Sequence, residues 1–105
     1  MANSFGTDIL IQAEDIDGAA TFYVDQLGFT ITGREPRMIS LHGSHINLFI
    51  ETGPALGPVL EVTVENVEEA KLRLVRNGGE VIKDEPDHPR CYVRDRFGLI
   101  YNLTE

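Results

Sequence analysis

The sequence predicts an α+β fold made of two copies of one unit, a strand, a helix and three further strands. Three observations carry this reading. Residues 15–29, DIDGAATFYVDQLGF, have the spacing of a capped amphipathic helix that runs through a glycine into a strand. Residues 66–79, NVEEAKLRLVRNGG, repeat that element 51 positions later, again behind an apolar strand that ends in a glutamate. The matches include Ile11 with Val62, Glu14 with Glu65, Asp15 with Asn66, Ile16 with Val67, Ala19 with Ala70, Val24 with Val75 and Gly28 with Gly79. Third, 105 residues with 42% hydrophobic content suit one soluble domain and are too few for two independent ones, so the copies share a single domain spanning 1–105.

Module one covers about residues 5–52. Residues 7–14 alternate loosely, with Ile9, Ile11 and Ala13 on one side and Asp8, Leu10, Gln12 and Glu14 on the other, as a strand does. In the helix, Asp15 or Asp17 is the cap, and Ile16, Ala20, Tyr23 and Leu27 form the apolar stripe. Residues 29–34 are a second strand, and 33–37, with Pro36, a turn. Residues 37–42 and 45–51 read as a hairpin about a two-residue type II′ turn at Gly43 and Ser44. That register sets Ile39, Leu41, Ile46, Leu48 and Ile50 on one face, and Met38, Ser40, His42, His45, Asn47 and Phe49 on the other.

Residues 53–58, rich in proline and glycine, are the connector, and module two covers 59–105. Residues 59–65 form a strand. Asn66 with Glu69 three positions on is a variant capping box, and the helix buries Val67, Ala70 and Leu74 until Gly78 and Gly79 stop it. Residues 81–83 and 91–94 are short strands about a loop at 85–89. Residues 95–98 are a turn, and 99–104 a last strand with Leu99, Tyr101 and Leu103 opposed to Ile100, Asn102 and Thr104.

A net charge of −8 opposes binding to nucleic acid and favours a cationic or neutral small partner, although solubility accounts for it as well. No apolar run approaches the ~20 residues that cross a bilayer, and no cleavable leader is seen, so a cytoplasmic protein without membrane contact is the expectation. The lone Cys91 excludes an internal disulfide and a multi-cysteine zinc site, and reads as a small buried residue.

The opening element with its FY and LGF, the central VTVENVEEA and NGGEVI, and the closing VRDRFGLIYNL, taken in that order, resemble the vicinal oxygen chelate superfamily of glyoxalases, extradiol dioxygenases and bleomycin-resistance proteins. The resemblance implies two βαβββ modules forming an incomplete barrel around a ligand cleft, often in a homodimer. It also implies metal ligands on the first, fourth, fifth and eighth strands, where this chain carries Asp8, Asn47, Val59 and Asn102. Valine cannot ligate and asparagine is a poor replacement for carboxylate or imidazole, so no metal and no other cofactor is expected. A register slip would bring His45 or Glu51 to the fourth-strand position.

The expected ligand-binding residues are Asp8, Gln12, Asn47, Phe49, Glu61, Thr63, Tyr92, Ile100 and Asn102, a polar mixture with apolar walls. Glu61, flanked by the apolar Leu60 and Val62, is the one candidate general base. His42 and His45 flank the hairpin turn and read as rim residues that could share a metal, and His88 lies in a loop that could overhang the cleft. Arg90, Arg94 and Arg96 read as a cluster near the last turn, paired with neighbouring acids or holding an anion. The expected function is binding or sequestration of a cationic or aromatic small molecule, in the manner of metal-free bleomycin-resistance-type proteins. The alternatives are a glyoxalase-like lyase, isomerase or dioxygenase with a displaced metal site or Glu61 as base, and a structural or regulatory dimer with a vestigial cleft.

Overall fold

Two helix caps read from the sequence organise the chain. Asp15 Oδ1 accepts the Gly18 N–H at 2.9 Å, and Asn66 Oδ1 accepts the Glu69 N–H at 2.8 Å, each satisfying a backbone donor that the first helical turn leaves free. The computed structural model describes residues 3–85, 87 and 90–105. In chain order the elements are β1 (Ser4–Ala13), α1 (Ile16–Leu27), β2 (Thr30–Glu35), β3 (Met38–Gly43) and β4 (Ile46–Thr52). There follow β5 (Leu56–Thr63), α2 (Val67–Arg76), β6 (Glu80–Glu85), β7 (Arg90–Arg94) and β8 (Ile100–Thr104). This is the α+β, twice βαβββ architecture that the repeat predicts. The chain forms two compact units, residues 7–58 and residues 3–6 with 59–105. Among the described residues no helix is long and apolar enough to cross a membrane.

In module one the strand order is β2-β3-β4-β1, with β1 parallel to β4 and the other neighbours antiparallel. One face packs under α1, where Ile16 and Ala20 meet Ile39, Leu41, Leu48 and Ile50, with Ile9 and Ile11 of β1 against the cluster. Burying each such aliphatic side chain stabilises the fold by about 1.5–3 kcal/mol. The stripe departs from expectation at its end, since Leu27 is 64% exposed. Gly28 adopts φ 78° and turns the chain, so that Phe29 packs edge-on against Tyr23, while Ala19 and Val24 complete the helix's buried side.

The hairpin turn is shifted by one residue from the predicted place. Gly43 is the last residue of β3 and pairs with Ile46, leaving Ser44 and His45 as the loop. The reason is packing: a Cβ on Gly43 would stand 2.7 Å from the Phe29 ring, so this glycine gives close approach and not a turn. Ser44 supplies the positive φ, 53°, at the first central position, as a type II′ turn requires.

In module two the order is β5-β8-β7-β6, with β5 parallel to β8. Val62, Val64, Ala70, Cys91, Val93 and Leu103 form its core, with Val67 and Leu74 of α2 packed on it as expected. The connector is shorter than 53–58, because β5 already begins at Leu56. The left-handed helix terminus is Gly78, φ 94°, and not Gly79. β6 reaches from Glu80 to Glu85, longer than the expected 81–83, and so takes Glu85 out of the expected loop. Pro86, His88 and Pro89, including the expected overhanging histidine, lie outside the described residues.

Both modules carry the same irregularity. Thr32 is an extra residue between Ile31 and Gly33 opposite β3, and Ile82 an extra residue between Val81 and Lys83 opposite β7. These bulges lie 50 positions apart, whereas the helix starts lie 51 apart, so one residue is lost within the second helix-and-turn segment. That loss explains why Gly78, rather than Gly79, takes the part of Gly28.

Candidate functional site on the open face of module one

With Ile9, Ile11, Ile39, Leu41, Leu48 and Ile50 turned toward α1, strand alternation sends their neighbours to the other face of the same sheet. Asp8, Leu10 and Gln12 of β1 stand in register with Asn47, Phe49 and Glu51 of β4, and these with His42, Ser40 and Met38 of β3. Apart from the exposed His42, all of them are half-buried. The strand residues of this face include three carboxylates, Asp8, Glu51 and Glu35, and no lysine or arginine. The one arginine of β2, Arg34, pairs with Ile39 on the helix side and meets Asp17 of α1 at 3.0 Å.

The polar side chains are linked into ladders across the strands. Asn47 Nδ2 donates to Asp8 Oδ1 at 3.0 Å, and Asn47 Oδ1 lies 2.9 Å from His42 Nδ1. The directions follow from valence. A carboxylate only accepts, so Asn47 turns its NH₂ to Asp8 and its oxygen to the ring, and His42 Nδ1 must carry a proton. In the neutral ring Nε2 then holds the lone pair, and it has no partner among the described residues. Two residues along β1 and β4 from the half-buried Leu10 and Phe49, Gln12 Nε2 donates to Glu51 Oε1 at 2.9 Å. Such bonds are each worth about 0.5–1.5 kcal/mol net, and their larger effect is to hold the acceptors in fixed positions.

His42 therefore belongs to this ladder and is more than a rim residue. It is not one of two histidines flanking a turn, because His45 lies in the turn itself while His42 stands opposite Asn47 within the ladder. The signal was present in the alternation, which put His42 and Asn47 on one face. A turn at Gly43 and Ser44, one residue early, obscures it.

The remaining expected residues belong to module two. Glu61 is half-buried and stands in register with Asn102. Asn102 Oδ1 accepts the Cys91 backbone N–H at 3.1 Å, which gives that amide a structural task. The Thr63 hydroxyl is exposed and lies 3.4 Å from that of Thr104. Tyr92 and Ile100 are 1% and 5% exposed, so the two side chains expected as cleft wall present almost no surface to a ligand. Lys83 Nζ stands 5.8 Å from the centre of the Tyr92 ring.

Of the three arginines expected as one cluster, Arg94 and Arg96 lie at the last turn and Arg90 does not. Arg94 pairs with Glu80 at 3.3 Å and Arg96 stacks on Phe97 at 4.8 Å, while Arg90 stands at the other end of β7 in register with Glu85. Cys91 is 4% exposed, and burial first, then Asp84, pushes its thiol above the usual range, which disfavours the thiolate.

The positions that the resemblance assigns to metal ligands do not fit a divalent ion. Val59 offers no donor and is 2% exposed, the Asn102 oxygen is engaged by Cys91 N–H, and the Asn47 amide is engaged on both sides. The 51-residue correspondence equates Asn102 with Glu51, so the slip considered for the fourth strand does supply one carboxylate, whereas the matching position in module two is an amide. Among the described residues no group of three or more His, Cys, Asp or Glu side chains is placed to hold a metal.

A family model described as Glyoxalase/Bleomycin resistance protein/Dioxygenase superfamily matches residues 7–99. Among solved structures, the chain is similar to a glyoxalase/bleomycin resistance protein/dioxygenase superfamily member from Vibrio splendidus 12B01. The identity is 15% and the TM-score 0.65, over 95% of this chain and 97% of that one. A hypothetical protein from Bacillus halodurans C-125 is similar at 19% identity and a TM-score of 0.64, over 98% and 94% of the two chains. Homoprotocatechuate 2,3-dioxygenase from Brevibacterium fuscum is similar at 22% identity and a TM-score of 0.60, over 98% of this chain but only 37% of the enzyme. At these identities the likeness is one of fold. No curated protein matches the chain.

Proposed function

Because the chain belongs to the glyoxalase/bleomycin resistance protein/dioxygenase superfamily, we propose that it is a small-molecule-binding member that holds a cationic or aromatic ligand on the open face of module one without a divalent ion. The observation that carries this reading is the Asp8–Asn47–His42 ladder, in which the amide at the expected fourth-strand ligand position is already bonded on both sides. What supports the reading is the acceptor capacity of Asp8, the lone pair of His42 Nε2 and the half-buried Phe49 ring, with no lysine or arginine among the module-one strand residues of this face. A cation that sits over the ring gains from its quadrupole as well as from the carboxylates. In this reading the protein acts by sequestration as a cytoplasmic homodimer.

Titration calorimetry with bleomycin and with benzyltrimethylammonium tests the proposal, alongside elemental analysis of protein purified without chelator. The expected result is saturable binding of a cation that Asp8→Asn weakens about tenfold, the equivalent of about 1.4 kcal/mol. Absence of binding to both probes, or a stoichiometric divalent metal in the purified protein, would overturn it.

The free Nε2 of His42 favours a second reading, a lyase or isomerase in which that nitrogen, rather than Glu61, takes the proton. The two separate cleanly, since catalysis would be lost in His42→Gln and kept in Glu61→Gln, whereas sequestration has no turnover to lose.

A further inference from the structure

Module two leaves space where module one is filled. In module one the rings of Tyr23 and Phe29 meet edge-on with centroids 6.0 Å apart and pack on the α1 core. Their counterparts in module two, 51 and 50 positions on, are Leu74 and Gly79. Of these two positions Leu74 lines a cavity of about 170 Å³ that opens to the surface between α2 and its sheet, where an isobutyl group stands in place of the Tyr23 ring. Its walls are mainly apolar, formed chiefly by Val62, Ala70, Leu74 and Leu103, with Asn3 and Tyr101 also lining it and the 64% exposed Phe5 as a lip. Apolar cavities of about 150 Å³ take up benzene.

The single charged side chain lining this cavity is Arg73. Its nearest acid is Glu69, at 4.0 Å and itself 75% exposed, a contact at the outer limit of an ion pair and worth little in solvent. The guanidinium therefore keeps N–H donors for a second, better placed carboxylate. We infer that module two carries a separate ligand site for a small apolar carboxylate, its ring or short chain in the cavity and its carboxylate on Arg73. The charge preference is the reverse of that on the open face of module one, so the two sites would not compete for the same molecule.

Benzoate and the uncharged benzyl alcohol serve as probes, followed on the full chain through the methyl signals of Val62, Leu74 and Leu103. Both probes are expected to shift these signals saturably, benzoate at the lower concentration. Arg73→Gln should weaken benzoate about tenfold and leave benzyl alcohol unchanged. Leu74→Tyr, which installs the side chain of module one, should abolish binding of both at unchanged far-ultraviolet circular dichroism. The inference fails if benzoate moves none of the three methyl groups in the unaltered protein, a result that needs no variant to fold. It also fails if Leu74→Tyr binds as before, or if Arg73→Gln leaves the preference for benzoate over benzyl alcohol unchanged.

Discussion

The two modules share their caps, their left-handed helix ends and their bulges, yet they use the same positions differently. Ala20 of α1 is fully buried, while its counterpart in α2, Lys71, reaches out to Glu68 at 2.9 Å and Asp84 at 2.8 Å. The buried alanine of α2 is instead Ala70, 2% exposed, whose counterpart Ala19 is only half-buried. One residue on a helix is about 100° of rotation, so the two helices present neighbouring but different stripes to their sheets. Duplication thus preserves the local devices that start and stop an element more faithfully than the packing between elements.

The largest expected effect follows directly. Ala20→Lys, which gives module one the residue of module two, places an ammonium in a site with no exposed surface and no partner, and is expected to destabilise by about 3–5 kcal/mol. Urea unfolding measures it. The reverse exchange, Lys71→Ala, should be far milder, because both of its carboxylate partners are solvent-accessible. Equal losses in the two variants would mean that the helices are seated alike.

Next in size is a contrast between two asparagines. Asn102 satisfies the backbone N–H of the buried Cys91, so Asn102→Ala leaves that donor unpaired and is expected to destabilise by about 1–3 kcal/mol. Asn47 bonds two side chains that water can reach, and Asn47→Ala should cost less than about 1 kcal/mol while releasing both Asp8 and His42. If the open face of module one is the functional one, cation binding should fall in Asn47→Ala and survive in Asn102→Ala. A common loss of stability with binding intact in both would assign the two amides the same structural task.

How far the sequence reveals all this depends on the range of the interaction concerned. The caps at Asp15 and Asn66 and the stop at Gly28 are set by neighbours within four residues, and all were legible. The hairpin turn falls one residue beyond the place that local signals predict, because the use of Gly43 is decided by Phe29, fourteen positions away in sequence. Periodicity alone puts the exposed Leu27 in the core, because it carries no knowledge of where the helix ends against the sheet. At the site, Asp8, Gln12, Asn47 and Phe49 do share one face, as alternation requires. Tyr92 and Ile100 share the correct parity but are buried, and parity does not tell an open sheet face from a covered one.

The smallest predicted effect tests module two at its last turn. Asp95 accepts the N–H groups of Phe97 and Leu99 through Oδ1 and the phenol of Tyr101 through Oδ2, an arrangement with no equivalent at the module-one counterparts Ser44 and Ile50. The bond from Tyr101, with those from Leu99 and Phe97, holds the Asp95 carboxyl below its ordinary value against a smaller opposing effect of burial. Burial, and then the bond to Asp95, pushes the Tyr101 phenol from 10.0 up to about 12. A phenol is neutral when protonated, and the folded chain keeps that proton where the unfolded chain has lost it. The stabilisation is therefore complete below pH 10 and is lost as the pH rises from 10 to about 12. For Asp95 the sign is opposite, with stabilisation present above its unfolded value of 3.8 and lost as the pH falls through the lower folded value. Tyr101→Phe should accordingly flatten the loss of Tm between pH 10 and 12, and should reduce the acid sensitivity that the bonded Asp95 confers. Amide exchange should place both changes at residues 95–101 and leave the strands of module one unaffected. A variant that retains the full alkaline slope would show that another group, and not this turn, governs it.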